Sequence, residues 1–153
     1  QAAGMAYSLQ YLGGNSERFV YCSLGDGELD EGNIWEAAMF AKKYNLSNLI
    51  AIVDRNNIQI GGDTEKVMPL GELADKWRSF GWDAQEIDGH DHSSIIQAID
   101  KAKISRQPSM IIAYTVPGRG VDFMEYDYRW HGKSPNAEEA ERALAQLSEG
   151  GGE

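Results

Sequence analysis

The amino-acid sequence predicts an α/β domain, a parallel sheet with helices on both faces. Three observations lead there. Short apolar, β-rich runs at residues 19–24, 49–53 and 110–116 are separated by stretches of helical periodicity. These runs are apolar at successive positions instead of alternating with polar residues, as strands buried on both faces are. Two of them end in polar clusters, Gly25-Asp26-Gly27 and Asp54-Arg55-Asn56-Asn57. In open α/β sheets, ligands sit beyond the carboxyl ends of the strands.

The elements follow in order. Residues 3–12 read as a helix ended by Gly13-Gly14, and 19–24 as a buried strand stopped by Gly25. Ile34, Ala37, Ala38 and Ala41 recur at helical spacing. After the strand at 49–53, Pro69 is expected to open a helix carrying Leu70, Leu73, Ala74 and Trp77, since proline suits a first turn. Residues 83–87 form a weaker strand. Asp91 or His92 caps the helix with Ile95, Ile96 and Ile99, and 110–116 is another strong strand. A long loop at 117–135 follows, and loops of that length are usually functional or mobile. Asn136 with Glu139 makes a capping-box pattern before a last helix at about 137–147. One domain, residues 1–147, and a flexible glycine-rich tail, 148–153, are expected. The strands at 19–24 and 49–54, joined by one short helix, are expected to be parallel neighbours.

Composition narrows the function. The chain has 153 residues, enough for one domain with a core that buries roughly 70% of the unfolded surface. The net charge of −10 leaves no basic footprint for nucleic acid or anionic lipid. A bound phosphate must therefore be met locally, by backbone amides or a metal ion. No stretch approaches the ~20 apolar residues of a membrane span. The single cysteine, Cys22, forms no intrachain disulfide, sits in an apolar run and agrees with a reducing cytoplasm. The chain starts at Gln1 directly in a helix, so preceding residues are expected.

The chemistry concentrates at the two polar clusters. The glycines beside Asp26 let the backbone turn and approach an anion closely. Asp26 and Asn56, thirty residues apart with a strand end before each, supply hard oxygens of the kind magnesium takes in its octahedral shell. By itself Gly-Asp-Gly is also a common turn. Glu31 and Glu36 read equally as a solvated helix start whose acids complement the dipole. His131 lies beside a glycine in the long loop, and a histidine side chain can donate to a developing oxyanion. His90 and His92 form a His-x-His that fits turn and cap structure better than zinc, because no cysteine or further histidine lies close in sequence. Arg119 and Lys133 either meet sugar phosphates or stay solvated. Trp35, Trp77 and Trp82 read as packing.

Three segments in the same order resemble the transketolase family: residues 25–41 (GDGELDEGNIWEAAMFA), 49–60 (LIAIVDRNNIQI) and 118–125 (GRGVDFME), the last followed by Trp130-His131-Gly132-Lys133. The resemblance runs over about residues 2–147. It implies the diphosphate-binding domain of the thiamin diphosphate-binding fold, incomplete at its start. It implies thiamine diphosphate with Mg2+, or another divalent cation such as Ca2+. It assigns Asp26, Asn56 and the Ile58 carbonyl to the metal, and Gly25 and Gly27 with them to the cofactor. It places Glu31 and Glu36 in a proton relay between active sites, and His131 beside cofactor and substrate.

The resemblance also implies what the chain lacks. The family's upstream portion is missing, as is the pyrimidine-binding domain that bears the activating glutamate. The expected partner is that domain on a separate chain, in a homo- or hetero-oligomer acting on sugar phosphates. The rival readings are a pyruvate dehydrogenase component, a deoxyxylulose-phosphate synthase, and a non-catalytic assembly module. The stretch at Trp130-His131-Gly132-Lys133 favours transketolase.

Overall fold

The computed structural model describes residues 1–13 and 17–150. Gly14, one of the expected helix-ending glycines, and the last three residues of the expected tail lie outside the described residues. The chain runs α1 (Ala2–Tyr7), a wider π turn (Ser8–Leu12), β1 (Val20–Gly25), α2 (Gly32–Lys43) and β2 (Leu49–Arg55). A small hairpin follows, β3 (Ile58–Gln59) and β4 (Gly62–Asp63), then α3 (Thr64–Val67) and α4 (Leu73–Ser79). The second half is β5 (Asp83–Asp88), α5 (His92–Ile104), β6 (Ser109–Tyr114) and α6 (Ala137–Gly150).

The four longer strands make one parallel sheet in the order β1-β2-β6-β5, so the expected β1–β2 pairing holds. Gly25 lies opposite Asp54, Asp54 opposite Ala113, and Ile87 opposite Ala113, which brings all four carboxyl ends into line. Alternation in the central strands divides the core. Leu49, Ala51 and Val53 of β2, with Met110 and Ile112 of β6, pack against Ala6 of α1, Ala38 and Ala41 of α2, and Leu73, Ala74 and Trp77 of α4. On the other face, Ile50 and Ile111 pack against Ala98 and Ala102 of α5. Among the described residues, no helix is long and apolar enough to cross a membrane.

Several boundaries differ from the sequence reading. Pro69 does not open a helix: α4 starts at Leu73, after Gly71, which adopts the left-handed φ of +58°. Proline at a first turn satisfies only local geometry, and here the glycine turn interrupts it. The hairpin and α3 lie in a stretch to which the sequence assigned no element, because two-residue strands leave no periodicity to detect. Burial on both faces holds for β2 and β6 but not for β1, where Tyr21 is 49% exposed. An edge strand has a neighbour on one side only, and fewer side chains reach over it. Asp91, and not His92, caps α5, accepting from the Ser93 amide. The capping box forms reciprocally: Glu139 N donates to Asn136 Oδ1 at 2.9 Å and Asn136 N to Glu139 Oε2 at 2.8 Å. The helix it starts continues past Leu147 to Gly150.

The tryptophans pack as expected. Trp77 packs between Trp35, tilted with ring centroids 5.1 Å apart, and Trp82, edge-on at 4.9 Å. Trp35 donates to the Leu29 carbonyl and Trp82 to the Ala38 carbonyl, whereas buried Trp77 Nε1 has no partner among the described residues. Cys22 is partly buried, and burial, aided by the Glu28 charge, pushes its thiol up, consistent with an inert side chain. Truncating a buried aromatic residue costs about 3–5 kcal/mol. Trp77→Ala is therefore expected to lose about that much in a denaturant titration. Trp77→Phe keeps a ring and discards an unpaired N–H, so it is expected to lose far less. Equal losses would contradict this packing.

Candidate active site

Both polar clusters emerge at the carboxyl edge of the sheet, and Asp26 is their centre. Gly25 ends β1, and the chain turns at once into a 3-10 turn, Gly27–Asp30. Asp26 N donates to the Asp54 carbonyl, so the loop after β1 is tied to the end of β2. The Asp26 side chain is 1% exposed. Its Oδ2 accepts from the Asn57 amide at 2.7 Å and from Arg55 Nη1 at 2.8 Å, and its Oδ1 from the Thr64 hydroxyl at 3.2 Å. A carboxylate this buried needs such a shell, because an uncompensated charge is costly in low dielectric.

Arg55 bridges two carboxylates. Its other nitrogen, Nη2, donates to Glu65 Oε1, which also accepts from the Leu70 amide. Desolvation opposes ionisation of Glu65, but the Leu70 amide and Arg55 outweigh it and hold the carboxyl below its usual range. Asn57 takes the left-handed φ of +63°, a conformation asparagine tolerates better than most residues, and this turn aims its amide at Asp26. Asn56 faces the same end of the sheet. Its Oδ1 accepts from the Ile58 amide at 3.0 Å and its Nδ2 donates to Asp54 Oδ2 at 3.0 Å. Asp54 Oδ1 in turn accepts from the Thr115 hydroxyl.

The structure therefore gathers Gly25, Asp26, Gly27, Asn56 and Ile58 at adjacent strand ends. Gly25 is exposed, and a Cβ there would meet nothing within 4 Å, which leaves an open approach. Gly27 is required by packing, since a Cβ would lie 2.8 Å from Gln59 Cβ. The Asp26 carboxylate, the Asn56 carboxamide and the Ile58 carbonyl are hard oxygen donors, the set a magnesium or calcium ion takes together with phosphate and water. Among the described residues, no three His, Cys, Asp or Glu side chains cluster as a metal site, so an ion here would draw the rest of its shell from an amide, a carbonyl, phosphate and water. The donor chemistry fits a hard divalent ion shared with a diphosphate.

The hydrogen bonds of Asp26 do not involve the remaining candidate residues. Glu31 and Glu36 are exposed at the start of α2, and Glu31 makes no side-chain cap hydrogen bond. His131 is exposed and follows a 3-10 turn, Tyr128–Trp130, that packs against β4 of the hairpin leading to Thr64. The loop at 117–135 is tied down: Trp130 Nε1 donates to the Phe123 carbonyl at 2.8 Å, Val121 is buried, and Asp122 exchanges two hydrogen bonds with Gln146 of α6. Lys133 pairs with Glu139 at 2.7 Å and lies 3.9 Å over the Trp130 ring, while Arg119 is exposed. His90 and His92 diverge: His90 Nε2 accepts from the Val116 amide and His92 is exposed at the head of α5. The sequence reading passed over Arg55, Thr64, Glu65 and Thr115. A basic residue inside an otherwise acidic and amide cluster was the available signal for Arg55. The other three are reached through the hairpin and β6, which no local pattern marks.

This architecture defines an α/β domain with a hard-oxygen site at the ends of two adjacent parallel strands. The chain belongs to the transketolase family: the model of the transketolase thiamine diphosphate-binding domain matches residues 9–148. It is 43% identical over 151 residues to the 6-deoxy-6-sulfo-D-fructose transketolase subunit SqwG of Clostridium sp. (strain MSTE9), covering 98% of this chain and 54% of that protein. It is 43% identical over 131 residues to one of the subunits of the apulose-4-phosphate transketolase of Phocaeicola vulgatus, covering 85% of this chain and 47% of that one. The crystal structure of transketolase from Campylobacter jejuni superposes with a TM-score of 0.86 at 32% identity, over 96% of this chain and 24% of that one. The chain thus spans about half the length of the two curated relatives it matches.

Removing one partner of a buried ion pair costs about 3–5 kcal/mol. Arg55→Met is expected to destabilise the fold by about 3 kcal/mol, and adding Asp26→Asn to recover most of that loss. A chemical-denaturation cycle in which the double variant is no better than Arg55→Met would contradict a charge-pairing role.

Proposed function

We propose that this chain supplies the diphosphate- and metal-binding part of a thiamine-diphosphate-dependent transketolase, which moves a two-carbon ketol unit between sugar phosphates. The observation that carries the reading is the buried Asp26 carboxylate facing the turn Asn56-Asn57-Ile58 at the ends of β1 and β2, inside the segment that matches the family. When bound, thiamine diphosphate supplies the chemistry that breaks and makes the bond beside a ketose carbonyl. Asp26, Asn56 and the Ile58 carbonyl hold the divalent ion, Mg2+ or a substitute such as Ca2+. Gly25 and Gly27 border the diphosphate. His131 holds a proton toward a substrate oxygen, and Glu31 and Glu36 connect active sites across an oligomer. The pyrimidine end of the cofactor is held by a further domain, on a separate chain as the names of the relatives, given as subunits, indicate for those proteins. Those names also point to phosphorylated or sulfonated sugars as the substrate class.

Two outcomes are expected. In the complete enzyme, Asp26→Ala removes the one charged ligand assigned to the ion, so metal-dependent thiamine diphosphate binding is expected to vanish in calorimetry. Unchanged affinity would end the assignment. The 153-residue chain alone, given metal, cofactor and a ketose–aldose phosphate pair, is expected to show no ketol transfer, because the pyrimidine end of the cofactor has no pocket. Robust turnover would show that the active site needs fewer parts than this.

A further inference from the structure

We propose that His90 is a positioning residue for this active site: its imidazole holds the Val116 peptide and so sets where the loop bearing His131 leaves the sheet. The inference rests on the ketol-transfer reading above. His90 Nε2 accepts from the Val116 amide at 2.7 Å. As the acceptor of this bond, Nε2 carries no proton of its own.

The bond does what the sheet no longer does at that point. The last β5–β6 pair is Asp88 with Tyr114, and Val116 lies two residues beyond it. Gly89 N still donates to the Tyr114 carbonyl at 2.8 Å, and Thr115 N to the Arg55 carbonyl at 3.3 Å on the other side. At Val116 a side chain replaces the missing strand. The His90 backbone is fixed in turn, its amide donating to Asp88 Oδ1 at 2.8 Å. The approach is close enough to require Gly89: a Cβ there would lie 2.5 Å from Thr115 Cγ2 and 3.0 Å from the Tyr114 carbonyl oxygen.

What Val116 anchors reaches the site by two routes. Its neighbour Thr115 donates through its hydroxyl to Asp54, which holds the Asn56 carboxamide. Its carbonyl accepts from Arg119 N at 3.3 Å as the loop begins, and the same loop later lays Tyr128–Trp130 against β4, directly before Thr64 and its bond to Asp26. A shift of the Val116 peptide therefore displaces the root of the loop that carries His131.

The test compares His90→Leu and His90→Gln in the complete enzyme, since a glutamine carbonyl can reach the Nε2 position and accept. Losing one such bond is worth roughly tenfold in an equilibrium. His90→Leu is expected to raise amide exchange at Val116 and in the loop by about tenfold, and to lower kcat by a similar factor with little change in KM. His90→Gln is expected to restore both. Leucine behaving as wild type, glutamine as impaired as leucine, or a loss confined to thermal stability would each overturn the proposal. Absence of turnover in the wild-type enzyme would instead sink the ketol-transfer reading, while exchange at Val116 would still decide whether His90 is the anchor.

Discussion

A nearly inaccessible carboxylate, that of Asp26, organises the carboxyl end of this sheet. Its charge must be balanced where water cannot reach, and three residues contribute: the guanidinium of Arg55, the amide of Asn57 and the hydroxyl of Thr64, while Glu65 holds the other side of the Arg55 guanidinium. In water each of these contacts would be worth little. In a low-dielectric pocket they are stronger, and leaving one unmade is costly. The hairpin and α3, which have little core of their own, owe their placement to this network.

The parallel sheet makes the network possible. Register places Gly25 beside Asp54, so the residues after them share one edge, and the Asp26 amide closes the seam by donating to the Asp54 carbonyl. On the other side of β2, the residue that follows β6, Thr115, orients Asp54 through its hydroxyl and with it Asn56. The oxygen donors suited to a divalent ion are thus held by residues that would not touch the ion. Such supporting contacts commonly decide how well ligands are oriented.

The long loop has the same character. Length alone marked 117–135 as functional or mobile. The structure pins it at its root by His90, in its middle by Val121 and the Phe123–Trp130 contact, and at its far end by the Lys133–Glu139 pair and the capping box of α6. α6 joins the domain through this loop by way of Asp122 and Gln146. A loop fixed at so many points can carry His131 at a defined place without belonging to the sheet.

Local sequence suffices for the central strands, the helices at 32–43 and 92–104, the capping box and the pair Asp26 and Asn56. Each has a nearby cause: continuous apolar runs, helical spacing, a reciprocal Asn–Glu pattern, and polar residues directly after a strand. Three ordered motifs also carried the family. Packing in three dimensions was needed to turn Arg55 inward to Asp26, to bring Thr64 and Glu65 to it from a hairpin without a periodic signature, and to make Trp77, but not Pro69, mark the body of α4. Packing also paired His90 with Val116, twenty-six residues apart. The physical reason is common to all of these. A hydrogen bond or ion pair across strand ends depends on register and on which groups must be satisfied away from water, and neither quantity leaves a trace in local spacing.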